Sequence, residues 1–271
     1  MKSKLKRLIK KLIKIANMPE MGILPGQLAF FFVLSIIPLI ALLGSLAGSF
    51  GISIESILEL LESIIPSSVV NMFEPIITGE GLTVGTAIFY ISSFLLASNG
   101  THSMILASNM IYDIKNKDYL SRRIKAIIMI FVLVLLLIFI LVVPAFGDHI
   151  VNFLASLIKN QLIGNNLILI YNILKYPLSL TFIFIGVKLL YTLAPDETIK
   201  SKYTNYGSVF TTIGWIVATE IYSIYVDVFS KYNLFYGSIS NLLILMLWIY
   251  ILAFIFVMGM AINAGYYKSE S

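Results

Sequence analysis

The residues able to do chemistry are few and gathered. Ser92, Ser98, Asn99, His102, Ser103 and Asn109 sit in an otherwise apolar run from Gly81 to Tyr112, GLTVGTAIFYISSFLLASNGTHSMILASNMIY. At 100° per residue they fall within about 140° of one helical face, opposite Ile, Leu, Phe and Met. Amides, hydroxyls and an imidazole in one line can hydrogen-bond a polar ligand. The run is also long enough to cross a bilayer, since about 20 residues span roughly 30 Å of hydrocarbon. Lipid offers no hydrogen-bond partners at that depth, so the polar face must turn to another helix or to water. Two roles fit. The side chains either glue helices together, at about 1 kcal/mol per hydrogen bond, or line a path for a substrate. Gly100 weakens the helix by about 1 kcal/mol relative to Ala. An opening there would free carbonyls beside Asn99 and His102, as in the broken helices of transporters.

A second group is charged. Lys175, Lys188, Glu220 and Asp227 fall within or beside two later apolar segments. Counted from the turn between Leu193 and Asn205, Lys175 lies about 27 Å and Glu220 about 23 Å along neighbouring helices. Matched depth makes an ion pair between Lys175 and Glu220 the expected arrangement, because pairing lowers the penalty of burying either charge. A substrate or proton site, or an unpaired interfacial carboxylate, are the other roles open to them. Lys188 is close enough to the inner end to snorkel. Asp227, Asn241 and Asn263 complete the polar candidates. Enzyme motifs are missing: there is no Walker A loop, no GxGxxG after a strand and no HExxH. With no cysteine, and with His102 and His149 at no ligand spacing, no metal or other cofactor is expected, and the chain does not read as an enzyme.

The elements that position these residues are membrane helices. The chain has 271 residues, 59% hydrophobic and only 12% charged, with a mean hydropathy of +0.94. Soluble domains carry about 25% charged residues. The expected fold is all-α, a polytopic membrane protein with spans at about 24–49, 82–110, 124–146, 166–193, 205–229 and 239–264. Pro38 predicts a kink in the first. Lys and Arg alternate between connections: dense in 1–16 and 115–125, sparse or absent in the loops between, and present again as Lys200 and Lys202. That alternation predicts six transmembrane helices with both termini cytoplasmic. Residues 1–18 form a basic amphipathic segment suited to an anionic membrane surface, and 19–271 form the transmembrane domain. A basic helix can also bind nucleic acid; ahead of a bundle, lipid is the expected partner and nucleic acid is not. Amphipathic stretches at 54–65, with Glu55, Glu59 and Glu62 on one stripe, and at 148–158 read as interfacial helices of the outer loops.

Three stretches together carry a resemblance. They are Gln27 to Pro38; Ala97 to Gly100 with the Asn109 to Asp113 run and its basic loop; and Tyr236-Gly-Ser-Ile with Leu247 to Tyr250 and Gly259 to Ala264, preceded by Tyr191 to Pro195. From about residue 20 onward the chain resembles the YihY/BrkB family of bacterial inner-membrane proteins. One departure is Ala261, where members commonly place an acidic residue. The resemblance implies a multi-pass protein of the bacterial plasma membrane, virulence-associated in some members and proposed to transport or flip lipids or solutes. The family's old ribonuclease BN label finds no support in the scattered Asp113, Asp118, Asp196 and Glu197 of the cytoplasmic loops, since a nuclease needs clustered acid–base or metal-binding groups. The resulting expectation is an ATP-independent transporter or lipid-translocating protein acting on an unidentified lipid or small molecule. The alternative is a non-transporting envelope scaffold, and self-association is open in both.

Overall fold

A computed structural model describes residues 13–49, 84–133, 135, 151, 161–229 and 233–270, and the regular elements among them are all helical. In chain order they are α1 (Pro19–Ser49), α2 (Val84–Tyr112), α3 (119–133), α4 (Gln161–Leu193), a short 3-10 turn (Ser201–Thr204), α5 (Asn205–Phe229) and α6 (Asn233–Glu270). Residues 1–12, the stretch at 54–65, nearly all of 148–158 and the third span beyond 135 lie outside this description. Two of the described helices, Asn166–Leu193 and Leu245–Glu270, are long and apolar enough to cross a membrane.

Helix is the form this sequence must take in lipid, where each backbone N–H and C=O needs a partner in its own segment. α1 runs unbroken through Pro25 and Pro38. α2 likewise continues through Gly100, so the opening expected there is not formed. Neighbouring packing explains the glycine instead: a Cβ at position 100 would come within 2.9 Å of Phe32 Cδ1 and 3.1 Å of Ser35 Oγ. Beside it, Ser35 Oγ donates to Ala97 O at 3.0 Å. Since 35 meets 97 and 32 meets 100, α1 and α2 are antiparallel.

The seam between α5 and α6 is antiparallel too. Gly207 N donates to Asn263 Oδ1 at 2.7 Å, Trp215 Nε1 donates to Leu252 O at 2.9 Å, and Tyr222 stacks on Trp248 with centroids 5.3 Å apart. A Cβ on Gly207 would strike Gly259 O, so the backbones touch only because both positions are glycine. α4 docks on this seam through Tyr191. Its ring stacks on Phe256 at 4.6 Å, and its hydroxyl donates to Phe256 O at 2.6 Å while lying 2.6 Å from Thr211 Oγ1. These contacts pair most of the polar atoms they bring inside, the Asn263 Nδ2 and Trp248 Nε1 atoms excepted, and such pairing is what lets helices pack in a medium without water.

The buried side chains gather toward one end of the helices: Leu24 and Leu28 of α1, Met104 and Ile105 of α2, Leu190 of α4 and Met260 of α6 are all nearly inaccessible. That end receives the 113–118 and 194–200 connections. Elsewhere the surface is apolar. Leu169 and Ile173 of α4, Ile213, Val217 and Ile221 of α5, and Leu243 of α6 are exposed. A soluble protein scatters exposed apolar side chains singly; continuous stripes along several helices mark faces meant for lipid.

Candidate functional site

The candidate site lies along the second half of α2, and its geometry begins with how that helix ends. Asp113 has φ 61, a left-handed conformation that Asp tolerates better than most residues. Around it, Asp113 N donates to Met110 O at 3.2 Å and Ile114 N to Asn109 O at 2.8 Å. This pair of bonds, with a left-handed residue just past the helix, is the Schellman termination. It reverses the chain, so that residues 114–118 return alongside the helix they have just left.

The reversal assembles a polar knot on Asn109. Asn109 Nδ2 donates to Asn116 Oδ1 at 2.8 Å and to Asp196 Oδ2 at 2.7 Å, while its Oδ1 accepts from Asp196 N at 2.8 Å. Lys117 N donates to the same Asp196 Oδ2 at 3.0 Å. Lys125 of α3 lies 3.4 Å from Asp196 Oδ1 and also donates to Pro195 O. One buried carboxylate thus ties together the end of α2, the returning loop, the start of α3 and the connection after α4. Burial alone pushes the Asp196 carboxyl up. The Lys117 N–H, the Asn109 amide and the Lys125 ammonium outweigh it and hold the group below its ordinary value.

About two turns back along α2, the polar side chains engage their neighbours one by one. Ser98 Oγ donates to Leu95 O at 2.7 Å, and Thr101 Oγ1 reaches Ala126 O on α3 at 2.7 Å. Arg123 of α3 crosses to α2, donating from Nη1 to Asn99 Oδ1 at 2.7 Å and from Nη2 to Leu95 O at 2.6 Å. Ser103 is buried and Ser92 is exposed. His102 differs from these. Its ring makes an edge contact with Tyr119, centroids 5.7 Å apart, but its Nδ1 is buried with no hydrogen-bond partner among the described residues.

The other sequence candidates disperse. Asn263 is fully buried in the α5–α6 seam. Glu220 is exposed on α5, and the side chains of Lys175, Asp227 and Asn241 lie outside the described residues, so the expected Lys175–Glu220 pair does too. Among the described residues no group of three His, Asp or Glu could hold a metal ion. An open recess of about 450 Å³ is lined by Ile168, Leu169, Asn172 and Ile173, all on α4, and does not belong to the polar face of α2. Three residues that matter here, Asp196, Arg123 and Lys125, look in sequence like ordinary loop charges. The signal that could have found them is the proximity of Asp196 to the Tyr191 to Pro195 run and the Arg–Lys spacing at the head of α3.

Known proteins resemble this chain along nearly its whole length. The family model described as Virulence factor BrkB matches residues 18–271. The Bacillus subtilis protein named putative ribonuclease-like protein YfkH is 28% identical over 250 residues, covering 90% of each chain. A UPF0761 membrane protein of Vibrio vulnificus is 24% identical over 276 residues, covering 97% of this chain and 83% of its own. A counterpart in Vibrio parahaemolyticus is 24% identical over 270 residues, covering 96% and 82%. No solved structure matches the chain. A match across all but the first residues, together with lipid-facing helices, settles the family: this chain belongs to the BrkB virulence-factor family of membrane proteins.

Proposed function

We propose that this protein is a six-span component of the bacterial plasma membrane, both ends cytoplasmic, that moves a lipid or small polar solute without ATP. The observation that carries the reading is His102. On a helix packed against α1, α3 and α6, it keeps a buried hydrogen-bonding atom without a partner among the described residues. Buried polar groups are ordinarily satisfied, so an orphan inside a membrane bundle is a place where a passing polar group would bind. Orientation is supported by the Lys and Arg alternation. The path would run along α2 at Asn99 and His102, beside Arg123.

A specific observation also favours the scaffold reading. Thr101 and Ser35 direct their hydroxyls to carbonyls of a neighbouring helix and so act as packing contacts. The relative's ribonuclease-like name belongs to that protein, and the described residues of this one offer no metal cluster for such chemistry.

Reconstitution separates the readings. Purified protein in vesicles should expose a fluorescent-headgroup phospholipid to an external quencher, or release a trapped solute, faster than protein-free vesicles. His102→Leu should slow that flux at unchanged melting temperature. No flux above background, for lipid and for solute, would leave the scaffold reading standing.

A further inference from the structure

Between α2 and α3 lies a basic niche that shares His102 and Arg123 with the proposed path and adds Arg122 and Tyr119 to them. Arg122 and Arg123 lie in the opening turns of α3, and both are within electrostatic reach of His102. Arg123 is held in place by two bonds, to Asn99 Oδ1 and Leu95 O, so its guanidinium is fixed before any ligand arrives. Arg122 is not: its Nε is buried and has no hydrogen-bond partner among the described residues, and the same holds for His102 Nδ1. Tyr119, exposed and set edge-on to the His102 ring, forms the outer wall. Two arginines, one with an unpartnered Nε, therefore stand within electrostatic reach of a histidine with an unpartnered Nδ1.

Among the described residues, no carboxylate forms an ion pair with Arg122 or Arg123. Asp118 feels Arg122, but its two oxygens accept from Ser121, Oδ2 from the N–H at 2.9 Å and Oδ1 from the hydroxyl at 2.8 Å. Asp196 is occupied by Asn109, Lys117 and Lys125. The niche is also bordered by an apolar stripe. Leu120, Ile124, Ile128 and Phe131 recur along α3 at helical spacing and are each more than half exposed. Charge at the helix start and apolar surface running away from it match a molecule with an anionic head and an acyl tail.

We infer that this niche, built from His102, Tyr119, Arg122 and Arg123, binds the phosphate of an anionic phospholipid whose acyl chain lies along α3. Guanidinium forks suit phosphate oxygens, and an Arg beside a membrane surface attracts anionic lipid by about 1 kcal/mol. Binding is a separate property from translocation. The niche would hold a headgroup in a protein that never moves one, and flux without lipid preference would leave the path while removing the niche.

The test uses the full-length protein in nanodiscs of mixed phosphatidylglycerol and phosphatidylcholine, with the lipid retained on detergent extraction counted by native mass spectrometry. The wild-type protein should retain phosphatidylglycerol preferentially. R122Q should reduce that preference about fivefold, the equivalent of one surface Arg, and H102Q should also reduce it. K202Q, a change at an exposed lysine on the 3-10 turn, should leave it intact. Inorganic phosphate added at tens of millimolar, as an order of magnitude for a headgroup competitor, should neither displace the lipid nor raise the melting temperature. Unchanged preference in folded R122Q and H102Q, or an equal loss in K202Q, overturns the proposal. Stabilisation by phosphate alone, with no lipid preference, overturns the lipid as the source and assigns the niche to free phosphate.

Discussion

Two polar regions share the second half of α2, and they have opposite hydrogen-bond inventories. Around Asn109, the amide oxygen, the amide nitrogen and both Asp196 carboxylate oxygens are engaged, and four chain segments meet there. Around His102, about two turns away, one ring nitrogen and the Nε of Arg122 are buried without partners among the described residues. A buried network is worth most when complete. The Asn109–Asp196 network of the first region is complete and behaves as a fastener. The second retains hydrogen-bonding capacity inside the protein, as Trp248 Nε1 and Asn263 Nδ2 of the α5–α6 seam also do, but here it stands beside two arginines. The comparison assigns stability to one and ligand binding to the other, and each assignment can be broken separately.

The largest effect should come from Asp196→Leu. It removes an acceptor from Asn109 Nδ2, the Lys117 N–H and the Lys125 ammonium at once, and breaking a buried pair by removing one partner costs about 3–5 kcal/mol. The melting temperature in detergent should fall steeply, and proteolysis should open the 113–118 connection first. A variant as stable as the wild type would show that the knot fastens nothing.

A smaller effect should follow from acid. The Asp196 carboxyl titrates below its unfolded value, so its contribution is fully present above the ordinary carboxylate range and lost as pH falls through the lowered folded value. Protonation removes the attraction to Lys125 but leaves a carboxyl that can still bond Asn109, which is why it should do less harm than Asp196→Leu. Stability should therefore be flat near neutrality and decline in strong acid. In Asp196→Asn that decline should be shallower; an identical acid profile would remove Asp196 from the balance.

The contrast between the two regions was only half legible in the sequence. Helical class and the importance of the Gly81 to Tyr112 run follow from hydropathy and from polar residues recurring at helical spacing, which are local properties. Asn109 was visible for that reason. Its partner Asp196 is 87 positions away and was dismissed as a scattered loop charge, because loop geometry decides which distant residues meet. The Schellman turn at Asp113 brings the loop back, and nothing short of the φ of a non-glycine residue announces it. Gly100 shows the converse error. Propensity suggested a weak point in the helix, but tertiary packing overrode it, since Phe32 and Ser35 fill the space a side chain would need. In sequence, Arg123 is one of the basic residues of 115–125 that carry topology information, and its reach to Asn99 follows only from how α3 crosses α2.

The smallest stability effect should distinguish two neighbours on one face. Asn99→Leu removes the acceptor of Arg123 Nη1 and leaves that donor to find water or a carbonyl, so a loss of about 1–3 kcal/mol is expected. His102→Leu removes an atom that had no partner, adds apolar surface to an apolar segment, and should change the melting temperature by no more than about 0.5 kcal/mol equivalent in either direction. Function should run the other way. His102→Leu should depress flux or lipid preference at full stability, because the orphaned nitrogen is what a ligand would use. Asn99→Leu should lower stability and function together, since Arg123 loses one of its two anchors. Both quantities measured on the same purified variants decide the matter. If His102→Leu proves as destabilising as Asn99→Leu, His102 is a packing residue with a partner in the folded membrane protein, and the two polar regions of α2 are the same kind of thing.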